Sequence, residues 1–329
     1  MLMQAKVIDF QAHFAPDGYI KVLAKRTEIP FVEKVGETFL FQYGPGSKYP
    51  ITKDSYDIRT KLEAMDKAGV EAQVLSIIIP GAEILDLRTS IELARVVNDE
   101  MAEVVSKYPD RFTALTTLPL RDTDASLKEL DRATNKLGFK GIMLFSNIAG
   151  MPLSDPKLWP IYEMAQELDQ PIFIHPTRPV MADEVREYGL EFIVGFLFDT
   201  TLAALKLIFS GVLERYPKLK LIIPHAGSTL PYLLGRIDYQ SALIPGSRKN
   251  LKAEPSEYIK RLYTDTVSMS GPALDFVYKL LGPDKLLFAT DFPYWAMEPS
   301  VALVEQMDIP KKHKEAIFYK NARKLLKLE

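Results

Sequence analysis

Short apolar runs recur along this chain, separated by stretches whose apolar positions repeat every three or four residues. The first run is residues 5–9 (AKVID). A segment rich in Gly, Pro, Tyr and Phe follows to about residue 54 and shows neither a strand nor a helix period. Residues 55–68 then carry Ile58, Leu62 and Met65 on one helical face. The run 72–79 (AQVLSIII), closed by Pro80 and Gly81, predicts a buried strand. Beyond it the pattern alternates. Helices are expected over 83–107, 124–137, 157–168, 197–216, 229–239 and 272–281. Strands are expected over 112–118, 141–145, 171–175, 219–225, 259–264 and 285–291. Two helices close the chain, the last over 322–328.

Apolar strands that alternate with helices imply parallel strands buried on both faces. Eight such strands favour a closed barrel over an open sheet. The expected fold is therefore α/β: a (β/α)8 TIM barrel as a single domain over 1–329, with an insertion after strand 1 and C-terminal helices. The segment from about 14 to 54 is too long for a plain barrel loop and is expected to form a lid or small subdomain.

Composition narrows the chemistry. Of 329 residues, 47% are hydrophobic and 26% charged, and the formal net charge is −2, so nothing points to nucleic acid. No cysteine is present, which excludes disulfides and thiolate ligands and leaves His, Asp, Glu or similar groups for any transition metal. No Gly-x-Gly-x-x-Gly motif follows a strand, and no Walker A motif occurs. The first ten residues, MLMQAKVIDF, lack the apolar run of a signal peptide, and no apolar stretch looks long enough for a membrane span. A cytoplasmic protein with no membrane partner is expected.

Only four histidines occur. His13 follows the first strand, while His175 and His225 end the fifth and sixth; Asp291 ends the eighth. In a closed barrel those ends share one mouth. A single strand-end histidine is more often structural, by roughly two to one. Three of four histidines and an aspartate at the same end of different strands favour metal binding or acid–base chemistry. His313, among Lys311, Lys312 and Lys314, reads as surface. Asp265 is either a partner of a functional group or a strand-end turn residue. Arg236 binds a carboxylate or pairs with a nearby acid such as Asp238. Phe41, Tyr43, Tyr294 and Trp295 either line a pocket or cover the core.

Several motifs carry a family resemblance that runs nearly end to end. They are 8–13, 65–70 (MDKAGV), 108–112 (YPDRF), 137–142 (LGFKGI), 171–177 (PIFIHPT), 195–238 and 287–293 (LFATDFP). The chain resembles the amidohydrolase-related group that includes 2-amino-3-carboxymuconate-6-semialdehyde decarboxylase and γ-resorcylate decarboxylase. The resemblance implies one divalent metal ion, zinc first and manganese as the alternative, held by His13, His175 and Asp291. It implies acid–base catalysis by His225 and a substrate carboxylate bound by Arg236, in some relatives across a dimer interface. Two departures stand out. Gln11 occupies a position where relatives carry His or Glu, which makes it a weaker candidate fourth ligand. No arginine lies near Phe41 and Tyr43, where the semialdehyde decarboxylase has one. The leading expectation is a cytoplasmic homodimer or tetramer: a metal-dependent lyase that removes carbon dioxide, without oxidation, from a small aromatic or unsaturated carboxylic acid. The alternatives are a hydrolase of a lactone, ester or amide, and a metal-free binding protein or pseudoenzyme on the same scaffold.

Overall fold

A computed structural model describes residues 6–36, 38–44 and 47–328. Ala5, at the start of the first expected strand, and positions 37, 45 and 46 of the insertion lie outside them. Strand β1 is Ile8–Phe14. The insertion contributes β2 (Phe31–Val35), β3 (Thr38–Gly44) and β4 (Ser47–Ile51). Next come β5 (Ala72–Ile77), β6 (Phe112–Ala114), β7 (Thr116–Thr117) and β8 (Ile142–Phe145). A small antiparallel pair follows, β9 (Asn147–Ile148) and β10 (Met151–Pro152). The last four are β11 (Ile172–His175), β12 (Leu221–Ile223), β13 (Tyr263–Asp265) and β14 (Leu286–Leu287).

Parallel pairing runs β1-β5-β6 in one sheet and β7-β8-β11-β12-β13-β14 in another. Two seams join them into a ring. At the first, β6 and β7 are one strand interrupted at Leu115: Leu115 N–H donates to Leu75 O at 2.9 Å and Thr116 N–H to Gly141 O at 2.8 Å. At the second, Phe10 N–H donates to Phe288 O (2.9 Å), Asp291 N–H to Gln11 O (2.9 Å) and His13 N–H to Phe292 O (2.7 Å). The backbone after β14 thus keeps bonding to β1 although it is no longer regular strand. The result is the expected (β/α)8 barrel, with strand side chains buried on both faces.

Boundaries moved where a side chain or glycine intervened. Strand β1 continues to Phe14, so His13 lies inside it rather than beyond it. The expected helix 55–68 is divided at Asp57, whose carboxylate accepts the N–H groups of Arg59 and Thr60 and starts a new helix, Ile58–Ala68. Asp86 caps Leu87–Lys107 in the same way, leaving residues 82–84 as a separate turn. The long helix ends at Phe209, and a left-handed Gly211 separates Val212–Arg215 from it. One membrane expectation is also corrected. Glu187–Phe209 is a helical run of 23 residues, apolar and long enough to cross a membrane; half of its most apolar stretch is buried in the protein. Glu187, Glu191, Asp199 and Lys206 interrupt the apolar positions, so no unbroken run marks it in the sequence.

The insertion folds as helix Asp17–Ala24 and the antiparallel sheet β2-β3-β4, packed onto the carboxyl ends of the barrel strands. Tyr19 Oη donates to Pro80 O at 3.0 Å, and Tyr49 Oη donates to Ile79 O. Tyr43 Oη lies 3.5 Å from Thr177 Oγ1. Buried Phe41 and Tyr43 belong to the core, and the Tyr294 ring, which meets Tyr49 edge-on, lies 5.5 Å from that of His13.

Asp9 fastens the second seam. Its buried carboxyl accepts Thr290 N–H (2.9 Å), Thr290 Oγ1–H (2.6 Å), Gln73 Nε2–H (2.9 Å) and Gln11 N–H (3.2 Å). Burial raises its pKa to about 6 despite those donors. We expect Asp9→Ala to destabilise the fold by about 3 kcal/mol, since several buried donors lose their acceptor. Urea denaturation of purified protein measures this; an unchanged midpoint would remove Asp9 as the fastener.

Candidate metal and acid–base site

The four strand-end residues meet. His13 comes from within β1, His175 from the end of β11, and His225 from the turn after β12. Asp291 follows β14. His13 Nε2 lies 2.9 Å from Asp291 Oδ1, and His175 Nε2 lies 3.7 Å from the same oxygen. His225 Nε2 is 3.6 Å from Asp291 Oδ2. The ring centroids of His13 and His175 are 4.5 Å apart, and those of His175 and His225 are 5.9 Å apart. His13, His175 and Asp291 are buried, and their ligand atoms all lie within 4.8 Å of one another.

The hydrogen-bond chemistry of this cluster suits a cation. His175 Nδ1 lies 2.7 Å from Pro176 O, an obligate acceptor, so the proton belongs on Nδ1 and the Nε2 lone pair faces the cluster. That Nε2 is buried with no hydrogen-bond partner among the described residues. His13 Nδ1 lies 3.1 Å from Ile77 O, which orients its Nε2 lone pair the same way, toward a carboxylate oxygen. Two lone-pair donors and a carboxylate converging on one point require a proton or a metal between them. Burial, with the neighbouring His13, lowers the His175 pKa to about 4, which keeps it neutral and able to ligate. For Asp291 burial works upward, but the neighbouring imidazoles of His13, His175 and His225 outweigh it and hold the carboxyl well below the usual range. For His225 burial works downward, and Asp291 reverses it to raise the pKa.

Gln11 also points into this site. Its Nε2 donates to Asp291 Oδ1 at 2.6 Å, and its Oε1 is buried without a hydrogen-bond partner among the described residues. Exchanging the amide's two ends would turn that oxygen toward the point where the lone pairs converge.

Arg236 is not among these residues. It lies on an exposed face of the helix Leu230–Leu243 and forms no ion pair among the described residues. Asp238, its suggested partner, instead accepts Ser256 N–H. His313 is remote and lies 2.7 Å from Tyr278 Oη. It lines a cleft of about 860 Å³ near Tyr263 and Pro283, at the amino ends of β13 and β14, that contains none of the four clustered residues.

Two further buried acids, Glu83 and Asp199, hold the loops beside this site. Glu83 accepts Thr177 Oγ1–H at 2.9 Å, and burial pushes its pKa up to about 7. Asp199 accepts Ser146 Oγ–H, Asn147 Nδ2–H (2.9 Å) and Val180 N–H (3.0 Å), holding the loop that leaves His175. A lone acid within an apolar run was the available signal for each.

With this geometry established, comparison with known proteins identifies the family. The model of the amidohydrolase family matches residues 8–328. The chain belongs to the amidohydrolase family. Among its relatives, 2-amino-3-carboxymuconate-6-semialdehyde decarboxylase of Dictyostelium discoideum is 34% identical over 74% of this chain and 68% of its own length. Gamma-resorcylate decarboxylase of Polaromonas sp. strain JS666 is 33% identical over 84% of this chain and 88% of its own. The crystal structure of 5-carboxyvanillate decarboxylase from Sphingomonas paucimobilis superposes with a TM-score of 0.88 at 27% identity, covering 98% of both chains. A dihydroxybenzoic acid decarboxylase structure from Polaromonas sp. JS666, with bound manganese and the inhibitor 2-nitroresorcinol, superposes at 0.81 with 27% identity, covering 98% of this chain and 97% of its own.

Because Gln11 is already aimed at this amidohydrolase site, a stronger ligand there should bind metal more tightly. Titration of apo protein with Mn²⁺ and Zn²⁺ is expected to give at least about tenfold higher affinity for Gln11→Glu and Gln11→His. Unchanged affinity in both folded variants would make Gln11 a group that only orients Asp291.

Proposed function

We propose that this protein is a non-oxidative carboxy-lyase acting on a small aromatic carboxylic acid. One observation carries the reading: His225 meets the same carboxylate that assembles the metal-ligand set, in a chain whose relatives are decarboxylases. The bond between the carboxyl carbon and the ring carbon breaks, and its electron pair stays on the ring carbon. A proton then fills that position as carbon dioxide leaves, so no oxidant is required. His225, with its pKa raised by Asp291, is the group that holds and delivers the proton. Tyr43 and Tyr49 anchor the insertion to the loops of the mouth, where it would shield the reacting groups from water. When bound by His13, His175 and Asp291, with Gln11 alongside, a divalent ion supplies positive charge that fixes and polarises the acid's oxygens. Two imidazoles suit zinc, whereas the manganese of the Polaromonas structure and the added amide oxygen of Gln11 favour manganese; we take manganese as the working choice.

The exposed position of Arg236 suits a role between subunits. The same helix exposes Tyr232 (85%), Tyr239 (65%) and Leu243 (60%), and the neighbouring helical run exposes Phe192, Ile193, Phe198 and Leu202. Side chains of this size in one region favour a second copy of the chain as their cover, in a closed symmetric dimer. In that assembly Arg236 would reach a substrate carboxylate in the partner's mouth as a planar two-point donor.

Purified protein loaded with Mn²⁺ should release carbon dioxide from at least one acid in a panel that includes 2,6-dihydroxybenzoate and 5-carboxyvanillate. His225→Asn should lower that turnover by about 100-fold or more while metal content stays near that of the parent. Full activity in this variant would remove His225 from proton transfer; hydrolysis products incorporating solvent oxygen would replace the lyase reading with a hydrolase. In sedimentation experiments, Tyr239→Glu should convert a dimer to a monomer, because a charge at an apolar contact is left unpaired. A parent already monomeric at micromolar concentration would overturn the shared-site arrangement.

A further inference from the structure

The turn that carries His225 has an unusual backbone. His225 (φ 56°, ψ 56°) and Ala226 (φ 53°, ψ 35°) lie in the left-handed region. Gly227 (φ 77°) and Ser228 (φ 57°) continue the run of positive φ. Residues with a Cβ rarely adopt this conformation, and a succession of them persists only where surrounding groups hold it. The far end of the turn is held by the helix Phe196–Phe209. There the Thr200 hydroxyl lies 2.6 Å from that of Ser228, and Thr229 N–H donates to Thr201 Oγ1 at 3.1 Å. The near end, beside His225, is held by a different strand: Ala226 N–H donates to Asp265 Oδ1 at 3.1 Å.

Asp265 ends β13, the neighbour of β12, and is fully buried. The same Oδ1 accepts Val267 N–H at 3.0 Å, which fixes the carboxyl to its own strand end. A strand-end turn residue would need only the Val267 bond; the bond to Ala226 reaches across to the turn of another strand. Burial pushes the Asp265 pKa up to about 7, against the lowering effects of His225 and the two N–H groups. An oxygen acceptor is available in either protonation state. Asp265 Oδ2 and His225 Nδ1 are both buried without a hydrogen-bond partner among the described residues.

We propose that Asp265 is the positioning residue for His225: through the Ala226 N–H it holds the left-handed turn that directs His225 Nε2 at Asp291. The proposal rests on the reading of His225 as the proton-transfer group. Asp265 itself touches none of the reacting atoms.

Two substitutions separate this role from a general structural one. Asp265→Asn retains the Oδ1 acceptor, whereas Asp265→Ala removes it. The first measurement does not depend on turnover. In protein carrying ¹⁵N-labelled imidazoles, single substitutions assign the four histidines. Asp265→Ala should move the His225 resonances and leave those of His313 in place, while Asp265→Asn should keep His225 near its parent position. The second measurement is kinetic. Asp265→Ala should lower kcat by about tenfold or more with KM and metal content near those of the parent, and Asp265→Asn should recover most of that loss. On a His225→Asn background, Asp265→Ala should cost less than about twofold further, because its effect runs through the missing imidazole. Unmoved His225 resonances would overturn the proposal. So would an equal kinetic loss with and without His225, or a loss of metal that matches the loss of kcat. If the parent shows no carboxy-lyase turnover, the proposed function falls, and the imidazole spectra alone decide the role of Asp265.

Discussion

Asp291 puts a carboxylate inside the barrel mouth, where an uncompensated charge would cost several kcal/mol. Three imidazoles and the Gln11 amide converge on it, from β1, the end of β11 and the turn after β12. Its charge holds this group together, and a bound cation would suit the same arrangement. Removing any one partner leaves the others arranged around a poorly compensated anion. The site is therefore better regarded as one electrostatic unit than as ligands plus a neighbouring base.

That unit lies beside the seam where the ring of strands closes. Asp291 N–H bonds to Gln11 O, and His13 N–H bonds to Phe292 O. Backbone pairing between the first and last strands is thus what brings Gln11, His13 and Asp291 within reach of one another. Asp9, one alternation below Gln11 on the same strand, fastens that seam through Thr290 and Gln73. Closure of the barrel and assembly of the donor set are the same event, which explains why residues nearly 280 positions apart form the shortest side-chain contacts in the cluster.

Much of this was legible in the sequence because it depends on local pattern. Apolar runs located the strands; His175 ends β11 as expected, while His225 and Asp291, expected as the last residues of their strands, lie just beyond β12 and β14. Gln11 and His13 share an orientation because alternate strand residues do, although the register slips between Asp9 and Ala12. What escaped depends on distant partners. Nothing local shows that Glu83 finds Thr177 or that Asp199 finds Ser146 and Asn147, and the position of Asp265 left its role open until Ala226 was seen to bond to it. Helix ends shifted for a related reason: Asp57 and Asp86 act as caps, a use of aspartate that competes with its appearance as an ordinary surface acid. Arg236 shows the limit from the other side, since its surroundings within one chain do not include the site to which the family resemblance assigns it.

The helix Phe196–Phe209 has two faces with different duties. Inward, Asp199 grips the loop after His175, and Thr200 and Thr201 grip the turn after His225. Outward, Phe198 and Leu202 stand exposed, one residue away from those grips. A helix moves as a rod, so pressure on its outer face is transmitted to both loops together. The loop after His175 and the turn after His225 therefore share one support, and their relative placement is set by the rigidity of a single helix rather than by contacts between the two.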